Sequence, residues 1–124
     1  MKRATIMRPD MKNLTDPFSY GVRWGDVLFV SGQSPAFDAV DFDAQARSVL
    51  DKLGIVLRLA GTDYEYVLRT GIYLADMKNF GAFNRIYREY FPKDFPARTT
   101  VNAKMVTDRI QVAVDCVAGI PEKT

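Results

Sequence analysis

The chain has 124 residues, 48% of them hydrophobic, and its 17 Lys and Arg against 15 Asp and Glu give a formal net charge of +2. A chain of this length is expected to form a single domain, residues 1–124, that buries roughly two thirds of its unfolded surface. Its cations are scattered, so no nucleic-acid-binding patch is predicted. No apolar run approaches the ~20 residues of a membrane helix, and the first residues lack the apolar stretch of a signal peptide. We therefore expect a cytoplasmic protein that binds neither nucleic acid nor membrane.

Two residue counts limit the chemistry. The chain contains no histidine, which removes Ser-His-Asp and Cys-His catalysis and the common zinc sites. The single cysteine, Cys116, excludes an internal disulfide, and its apolar surroundings predict a small core residue. Any catalysis must therefore rest on carboxylates, Arg, Lys, Tyr, Ser, amides, backbone groups or water.

The first third of the chain predicts strands. A short strand is expected near residues 5–7. Residues 21–31 predict a hairpin with its turn at residues 25–26, because Gly-Asp favours a turn and the run after it is rich in β-formers. The second strand of this hairpin is expected to stop at residues 31–32.

A long amphipathic helix is predicted next. From residue 42 to residue 60 apolar side chains recur at i, i+3, i+4 and i+7, the spacing of one helical face. Gly61 suits the position just past the helix end, whereas Gly54 inside the helix weakens the pattern. Residues 65–74, rich in β-branched and aromatic types, then predict a strand.

The last third predicts a second helix and two strands. Asp76 or Asn79 can cap a helix that ends before Pro92. Strands are expected over residues 98–106 and 109–118, joined by a tight turn. The element order is therefore β-β-α-β-α-β-β.

This order predicts an α+β fold, a mixed sheet with both helices on one face. Strand pairs bridged by a helix can be parallel, whereas the two terminal hairpins are antiparallel. In the last strand the two-residue period divides the side chains between two faces. One face takes Ile110, Val112, Val114 and Cys116, and the other takes Gln111, Ala113, Asp115 and Val117. The second face is half apolar and carries no helix, so we expect it to pack against other subunits.

Five stretches of sequence stand out in a fixed order. They are "VLFVSGQSP", "AQARSVLDKLGIVLRLAG", "YLADMKNFGAFNRIYREYF", "FPARTTV" and "IQVAVDCVA". In type, order and spacing they resemble the Rid family, the reactive intermediate deaminases of the RidA/YjgF group, over about residues 17–119. The resemblance implies a chorismate-mutase-like homotrimer with an inner barrel of sheets and ligand clefts between subunits. It also implies cofactor-independent hydrolysis of enamine or imine acids, such as 2-aminoacrylate or 2-iminopropanoate, to 2-keto acids and ammonia.

The resemblance implies two catalytic residues. Arg98 of the "PAR" motif matches the family arginine that grips the substrate carboxylate, and its planar fork can bond both oxygens. Asp115 stands where the family has a glutamate that handles a proton or positions water. Its carboxylate is withdrawn by one C–C bond, about 1.5 Å. The alternatives are a structural ion pair for Arg98, and an interface salt bridge or a hydrogen-bonded strand acid for Asp115.

Further matches predict the substrate-binding residues. They are Phe18, Ser31, Asn84, Tyr87 and Thr100. Phe18 replaces a family tyrosine and Thr100 a frequent cysteine, which points to altered specificity rather than loss of the acid site. Phe18 can otherwise be hydrophobic cover and Ser31 a strand end. Asn84 can be a satisfied core amide, and Tyr87 a packing residue with its hydroxyl at the rim.

Two classes of function therefore stay open. The first is a deaminase, of the 2-aminoacrylate type or of a different acid such as 2-aminomuconate. The second is a non-catalytic regulatory protein that binds carboxylates. The ribonuclease or translation-inhibitor activity once attached to this family is disfavoured, because the chain lacks histidine and a basic patch.

Overall fold

The structure, a computed structural model, describes residues 2–9 and 16–122, and in them six strands form one mixed sheet with two α-helices on one face. The strands are β1 (Arg3–Ile6), β2 (Gly21–Trp24), β3 (Val27–Gln33), β4 (Val67–Leu74), β5 (Ala97–Asn102) and β6 (Val112–Gly119). The helices are α1 (Phe42–Leu59) and α2 (Phe80–Tyr90), and 3-10 turns at Tyr64–Tyr66 and Met77–Asn79 precede β4 and α2. The α+β class is confirmed. Neither helix has the length and apolarity to cross a bilayer.

The strand order corrects one prediction. The sheet runs β1-β2-β3-β6-β4-β5, so the last two strands do not form a hairpin. β6 inserts between β3 and β4, antiparallel to both, while β5 lies at the edge. The burial of the two strands gives the physical reason. Every second residue of β6 is buried, as a central strand requires, whereas β5 is exposed at most positions, as an edge strand tolerates.

The two helical crossovers differ from each other. β4, α2 and β5 form the predicted unit, in which the helix joins two neighbouring parallel strands. β3 and β4, which α1 joins, are not neighbours, because β6 separates them and pairs antiparallel with each. The helix α1 thus packs over β6, which brings both helices to the same face of the sheet.

The core lies between the helices and this face. Val112, Val114 and Cys116 of β6 are buried in it, as the two-residue period predicts. The other core side chains come mainly from α1, with Leu53 and Leu57 fully buried, and from α2. Burial raises the pKa of the Cys116 thiol to about 12, so the residue is a core hydrophobe in its chemistry as well as in its position.

The helix ends follow local rules. The side chain of Asp41 accepts a hydrogen bond from the Ala44 backbone N–H at 2.7 Å, and α1 ends before Gly61, which has the positive φ of +89° expected there. Asp76 caps the 3-10 turn before α2 by accepting from the backbone N–H of residue 78. Asn79 occupies the N-cap position of α2 itself but makes no side-chain capping bond.

Gly54, which weakened the helix pattern, has a packing reason. A Cβ at this position would overlap the Tyr64 hydroxyl and lie 2.6 Å from its Cζ atom. Tyr64 is held there because its hydroxyl donates to the Leu50 carbonyl at 2.7 Å and its ring packs edge-on against Tyr90 and Phe91. The helix accepts a poor helix former so that this ring can approach its backbone.

We therefore expect Gly54→Ala to destabilise the protein by about 1–3 kcal/mol, although alanine is the better helix former. Gly81 of α2 is the matched control, because a Cβ there would meet nothing within 4 Å. Gly81→Ala should stabilise by roughly 0.5–1 kcal/mol. Urea denaturation at one protein concentration measures both. Stabilisation by Gly54→Ala would show that Tyr64 is not held in this position.

The face of the sheet opposite the helices is uncovered in the described residues. Phe29, Trp24 and Val101 lie on it and expose 53%, 52% and 41% of their surface. Val22 and Val117, which pair with Phe29 across the strands, extend the apolar area. An apolar sheet face of this extent is typical of a protein–protein contact.

Candidate functional site

A cleft of about 250 Å³ opens between α2 and the edge strand β5, on the helix face of the sheet. Its lining residues are Phe80, Asn84, Tyr87, Arg88, Phe95, Pro96 and Arg98. Three aromatic rings and a proline form its walls, and two arginines supply charge without any carboxylate. The cleft therefore favours an anion with an apolar part.

Arg98 is oriented by its neighbours in this cleft. The alternation of β5 puts Arg98 and Thr100 on the same face, and the Arg98 Nε donates to the Thr100 Oγ1 at 2.7 Å. The guanidinium carbon lies 4.8 Å from the ring centre of Tyr87, and the rings of Phe80 and Phe83 are within 5.6 Å. This cation–π packing holds the fork in one plane against the floor of the cleft.

Within the part of the chain that the structure describes, Arg98 makes no hydrogen bond other than that to Thr100. Its Nη2 is buried without a hydrogen-bond partner, and no carboxylate of residues 2–9 or 16–122 lies within ion-pair distance. Burial lowers the pKa of Arg98 from its ordinary value, and the charge of Arg88 lowers it further. Arginine nevertheless stays charged at any working pH. The described residues thus give no support to a structural ion pair, and they leave a partly buried cation with one buried donor to spare.

Asn84 and Tyr87 project from α2 toward the same cleft. The Oδ1 of Asn84 is buried without a partner, which contradicts the expectation of a satisfied core amide. Tyr87 is 3% exposed and packs in the core, as one alternative expected. Its hydroxyl does not lie at the rim, because it is buried 2.8 Å from the Thr70 Oγ1. Burial raises the pKa of Tyr87, so its hydroxyl stays protonated.

Asp115 lies on the opposite face of the sheet. Arg98 pairs with Thr70 of β4, which pairs with Cys116 of β6, so these three side chains share the helix face. Asp115 directly precedes Cys116 in β6 and therefore points to the uncovered face, as its position in the strand predicted. One chain alone cannot present Arg98 and Asp115 to the same small ligand.

The Asp115 carboxylate is fixed by two residues of β4. The Tyr73 hydroxyl donates to Asp115 Oδ2 at 2.7 Å, and this hydrogen bond is the main cause of the raised pKa of Tyr73. Gly71 is the direct cross-strand partner of Asp115, and a Cβ there would overlap Oδ1. Asp115 is thus a hydrogen-bonded strand acid, and it is seated in the space that Gly71 leaves.

Ser31 lies beside Asp115 in a bulge of β3. Val30 pairs with Cys116 and Gln33 with Val114, so two residues of β3, Ser31 and the next, face Asp115 alone. The predicted end of the strand at residues 31–32 is therefore wrong, because the bulge lets β3 continue to Gln33. The Ser31 hydroxyl donates to a backbone carbonyl, that of residue 19, at 2.6 Å.

Phe18 lies just before β2, which is the neighbour in the sheet of β3, the strand that carries Ser31. The ring of Phe18 packs edge-on against Tyr20 at 5.7 Å and the residue is 44% exposed, which agrees with partial hydrophobic cover. In the sheet, β6 and β4 stand between this region and Arg98. The sequence candidates thus form two groups. One is Arg98, Thr100, Asn84 and Tyr87 at the cleft, and the other is Phe18, Ser31 and Asp115 around β2, β3 and β6.

Three residues at these sites were not found from the sequence. Arg88 lines the cleft one helical turn after Asn84, a spacing that predicts a shared helix face. Gly71 sits inside a strand, where glycine often marks a close approach. Tyr73 carried no signal of its own, because its contact with Asp115 depends on the register of two distant strands.

The fold and the cleft define a class of small α+β protein in which a two-helix layer and an edge strand hold an unpaired arginine. A comparison with known families agrees. The family model described as endoribonuclease L-PSP matches residues 10–120. The chain belongs to this family, the Rid or YjgF group that its motifs predicted.

Individual relatives give the same result. The chain is 31% identical over 126 residues to "Reactive Intermediate Deaminase A, chloroplastic" of Arabidopsis thaliana, covering 97% of this chain and 67% of that protein. It is 31% identical over 121 residues to the RutC family protein y4sK of Sinorhizobium fredii, covering 93% and 96%. A Rid-family protein of unknown function from Yersinia pestis has a similar structure, with a TM-score of 0.88, 28% identity and coverage of 96% and 100%.

Proposed function

We propose that the protein is a cofactor-independent deaminase. It hydrolyses reactive enamine and imine carboxylic acids of the 2-aminoacrylate and 2-iminopropanoate type to 2-keto acids and ammonia. The observation that carries the proposal is Arg98, a partly buried guanidinium with an unpartnered Nη2 in a cleft without carboxylates. A buried donor left unpaired costs roughly 1–3 kcal/mol, which an acid ligand recovers. The name of the Arabidopsis relative, a reactive intermediate deaminase, supports the reaction class.

The reaction needs few protein groups. A protonated imine is already electrophilic, so Arg98 binds the carboxylate and fixes the position of the imine carbon. Asp115 accepts a proton as water adds to that carbon, and the C=N electron pair moves onto nitrogen. Asp115 then returns its proton to the nitrogen of the resulting carbinolamine, and the C–N bond breaks as ammonia leaves. An oxygen lone pair forms the carbonyl at the same time, and the hydroxyl proton passes to Asp115 and from there to solvent. No histidine is required.

The active assembly in this proposal is a homotrimer with clefts between subunits. Arg98 and Asp115 point to opposite faces of one sheet, so a shared substrate requires Arg98 from one subunit and Asp115, with Ser31 and Phe18, from the next. The exposed apolar face that carries Asp115 is suited to such a contact. In this proposal the protein acts in the cytoplasm and has neither nucleic acid nor a membrane as a partner.

The experiment generates 2-aminoacrylate in situ with a pyridoxal-phosphate-dependent dehydratase and follows release of the keto acid. We expect the wild-type protein to accelerate release above the buffer rate and to be a trimer by sedimentation. Release at the buffer rate would refute the 2-aminoacrylate activity. A screen of larger imino acids, among them 2-aminomuconate, would then test altered specificity, to which Phe18 and Thr100 point.

A regulatory acid-binding protein is the second candidate. One observation favours it: the Tyr73 hydrogen bond occupies one oxygen of Asp115, and the shorter aspartate leaves less reach toward a water. Calorimetry with 2-keto acids separates the two functions. Binding that depends on Arg98, without turnover of any imine offered, would indicate the regulatory function.

A further inference from the structure

We propose that the Arg98 cleft selects acids with two negative charges, and that Arg88 is the residue that makes this selection. The proposal rests on the proposed function, since it takes Arg98 as the site of the first carboxylate. It singles out the dicarboxylic acids, to which 2-aminomuconate belongs, among the candidate substrates, and it gives a role to a residue that the reaction itself does not use.

Arg88 and Arg98 lie in one cleft. Arg88 lines it from the other wall, near the end of α2. Asn84, one helical turn earlier, lines the same cleft, and residues four apart lie on one side of a helix. Arg88 itself is exposed, so it stands at the mouth while Arg98 lies deeper.

The other two charged side chains of α2 form ion pairs with α1. Arg85 lies 3.6 Å from Asp43, and Glu89 pairs with Arg47, so the charges that face α1 are neutralised. Arg88 has no carboxylate within ion-pair distance among the described residues, and neither has Arg98. Two cations therefore share one cleft without a counter-charge. Their repulsion contributes to the lowered pKa of Arg98, after the larger effect of burial.

The chemistry of the ligand follows from this arrangement. A monocarboxylate on Arg98 neutralises one cation and leaves the other unmatched at the mouth. A second carboxylate on the same molecule neutralises Arg88 as well, and the apolar walls formed by Phe80, Phe95 and Pro96 suit a short carbon chain between the two groups. A cation in the last helical turn can also serve only the helix dipole, a role that is indifferent to the ligand's second charge.

Calorimetry with two five-carbon acids tests the proposal, because 2-oxoglutarate and 2-oxopentanoate differ in the second carboxylate. We expect wild type to bind 2-oxoglutarate roughly two- to fivefold more tightly, the size expected for one exposed ion pair. Arg88→Gln should remove this preference, so that the two acids bind with Kd values within about twofold of each other. Arg85→Gln removes the same charge from the same helix outside the cleft, and it should keep the preference.

Each of the other outcomes overturns a different part of the proposal. Equal binding of the two acids by wild type would overturn the selection and leave the proposed function intact. A preference that survives in Arg88→Gln would overturn the role of Arg88. Failure of wild type to bind either acid would overturn both the selection and the acid site on which the proposed function depends. A loss of thermal stability in Arg88→Gln without loss of the preference would assign Arg88 to the helix alone.

Discussion

Arg98→Ala should lower kcat/KM for 2-aminoacrylate hydrolysis by about 10²- to 10⁴-fold, because it removes two charge-assisted hydrogen bonds of roughly 1.5–3 kcal/mol each. Arg98→Lys should also lose most activity. Lysine supplies the charge but not the planar fork, and it cannot stack on the Tyr87 ring in the same way. The in situ assay measures both variants, and calorimetry with a keto acid should show the same order of affinities.

Lys104→Ala is the control for these variants. Lys104 is an exposed cation in the loop that follows β5, outside the cleft, so its loss should leave turnover unchanged. Near-normal turnover by Arg98→Lys would mean that Arg98 acts only as a point charge. Near-normal turnover by Arg98→Ala would remove Arg98 from the reaction altogether.

Asp115→Asn should lower kcat by about 10²- to 10⁴-fold, the range expected for loss of a general acid–base group. The amide keeps the shape of the side chain but cannot accept the proton. Gly71→Ala should act in the same direction, because the new Cβ occupies the space of Asp115 Oδ1 and a displacement of about 1 Å can cost roughly 10²-fold. Keto-acid binding, which depends on Arg98, should persist in both variants.

Gly119→Ala is matched to Gly71→Ala. Gly119 lies on the uncovered face, at the far end of β6 from Asp115, and a Cβ there would meet only the Tyr66 carbonyl at 3.8 Å. It should retain turnover. Full activity of Asp115→Asn would mean that another group accepts the proton. Full activity of Gly71→Ala would show that the position of the carboxylate is not critical.

The sequence determined the elements of the fold better than their arrangement. The period of two in β6 gave the correct face for Cys116 and for Asp115, because side-chain alternation is a local property of any strand. The place of β6 between β3 and β4 was missed, since strand order depends on which distant edges pair. The continuation of β3 past Ser31 was missed for a related reason, because a bulge is visible only against its partner strand.

The candidate site, like the fold, was predicted from the sequence only where its signals are local. Arg98 was found because its motif is contiguous, and the structure adds that it has a spare buried donor. The seat of Asp115 could not be found, because Gly71 and Tyr73 lie some forty residues away and meet it only through the register of β4 and β6. The separation of Arg98 from Asp115 by the thickness of the sheet likewise required the strand order.

Mixed trimers test whether Arg98 of one subunit and Asp115 of the next form one active site. Arg98→Ala and Asp115→Asn chains, each inactive alone, are co-expressed with different tags, and assemblies containing both are purified through both tags. In every such trimer one cleft combines an intact Arg98 with an intact Asp115, so we expect turnover at about a third of the wild-type rate. Mixed trimers no more active than either parent would contradict this arrangement.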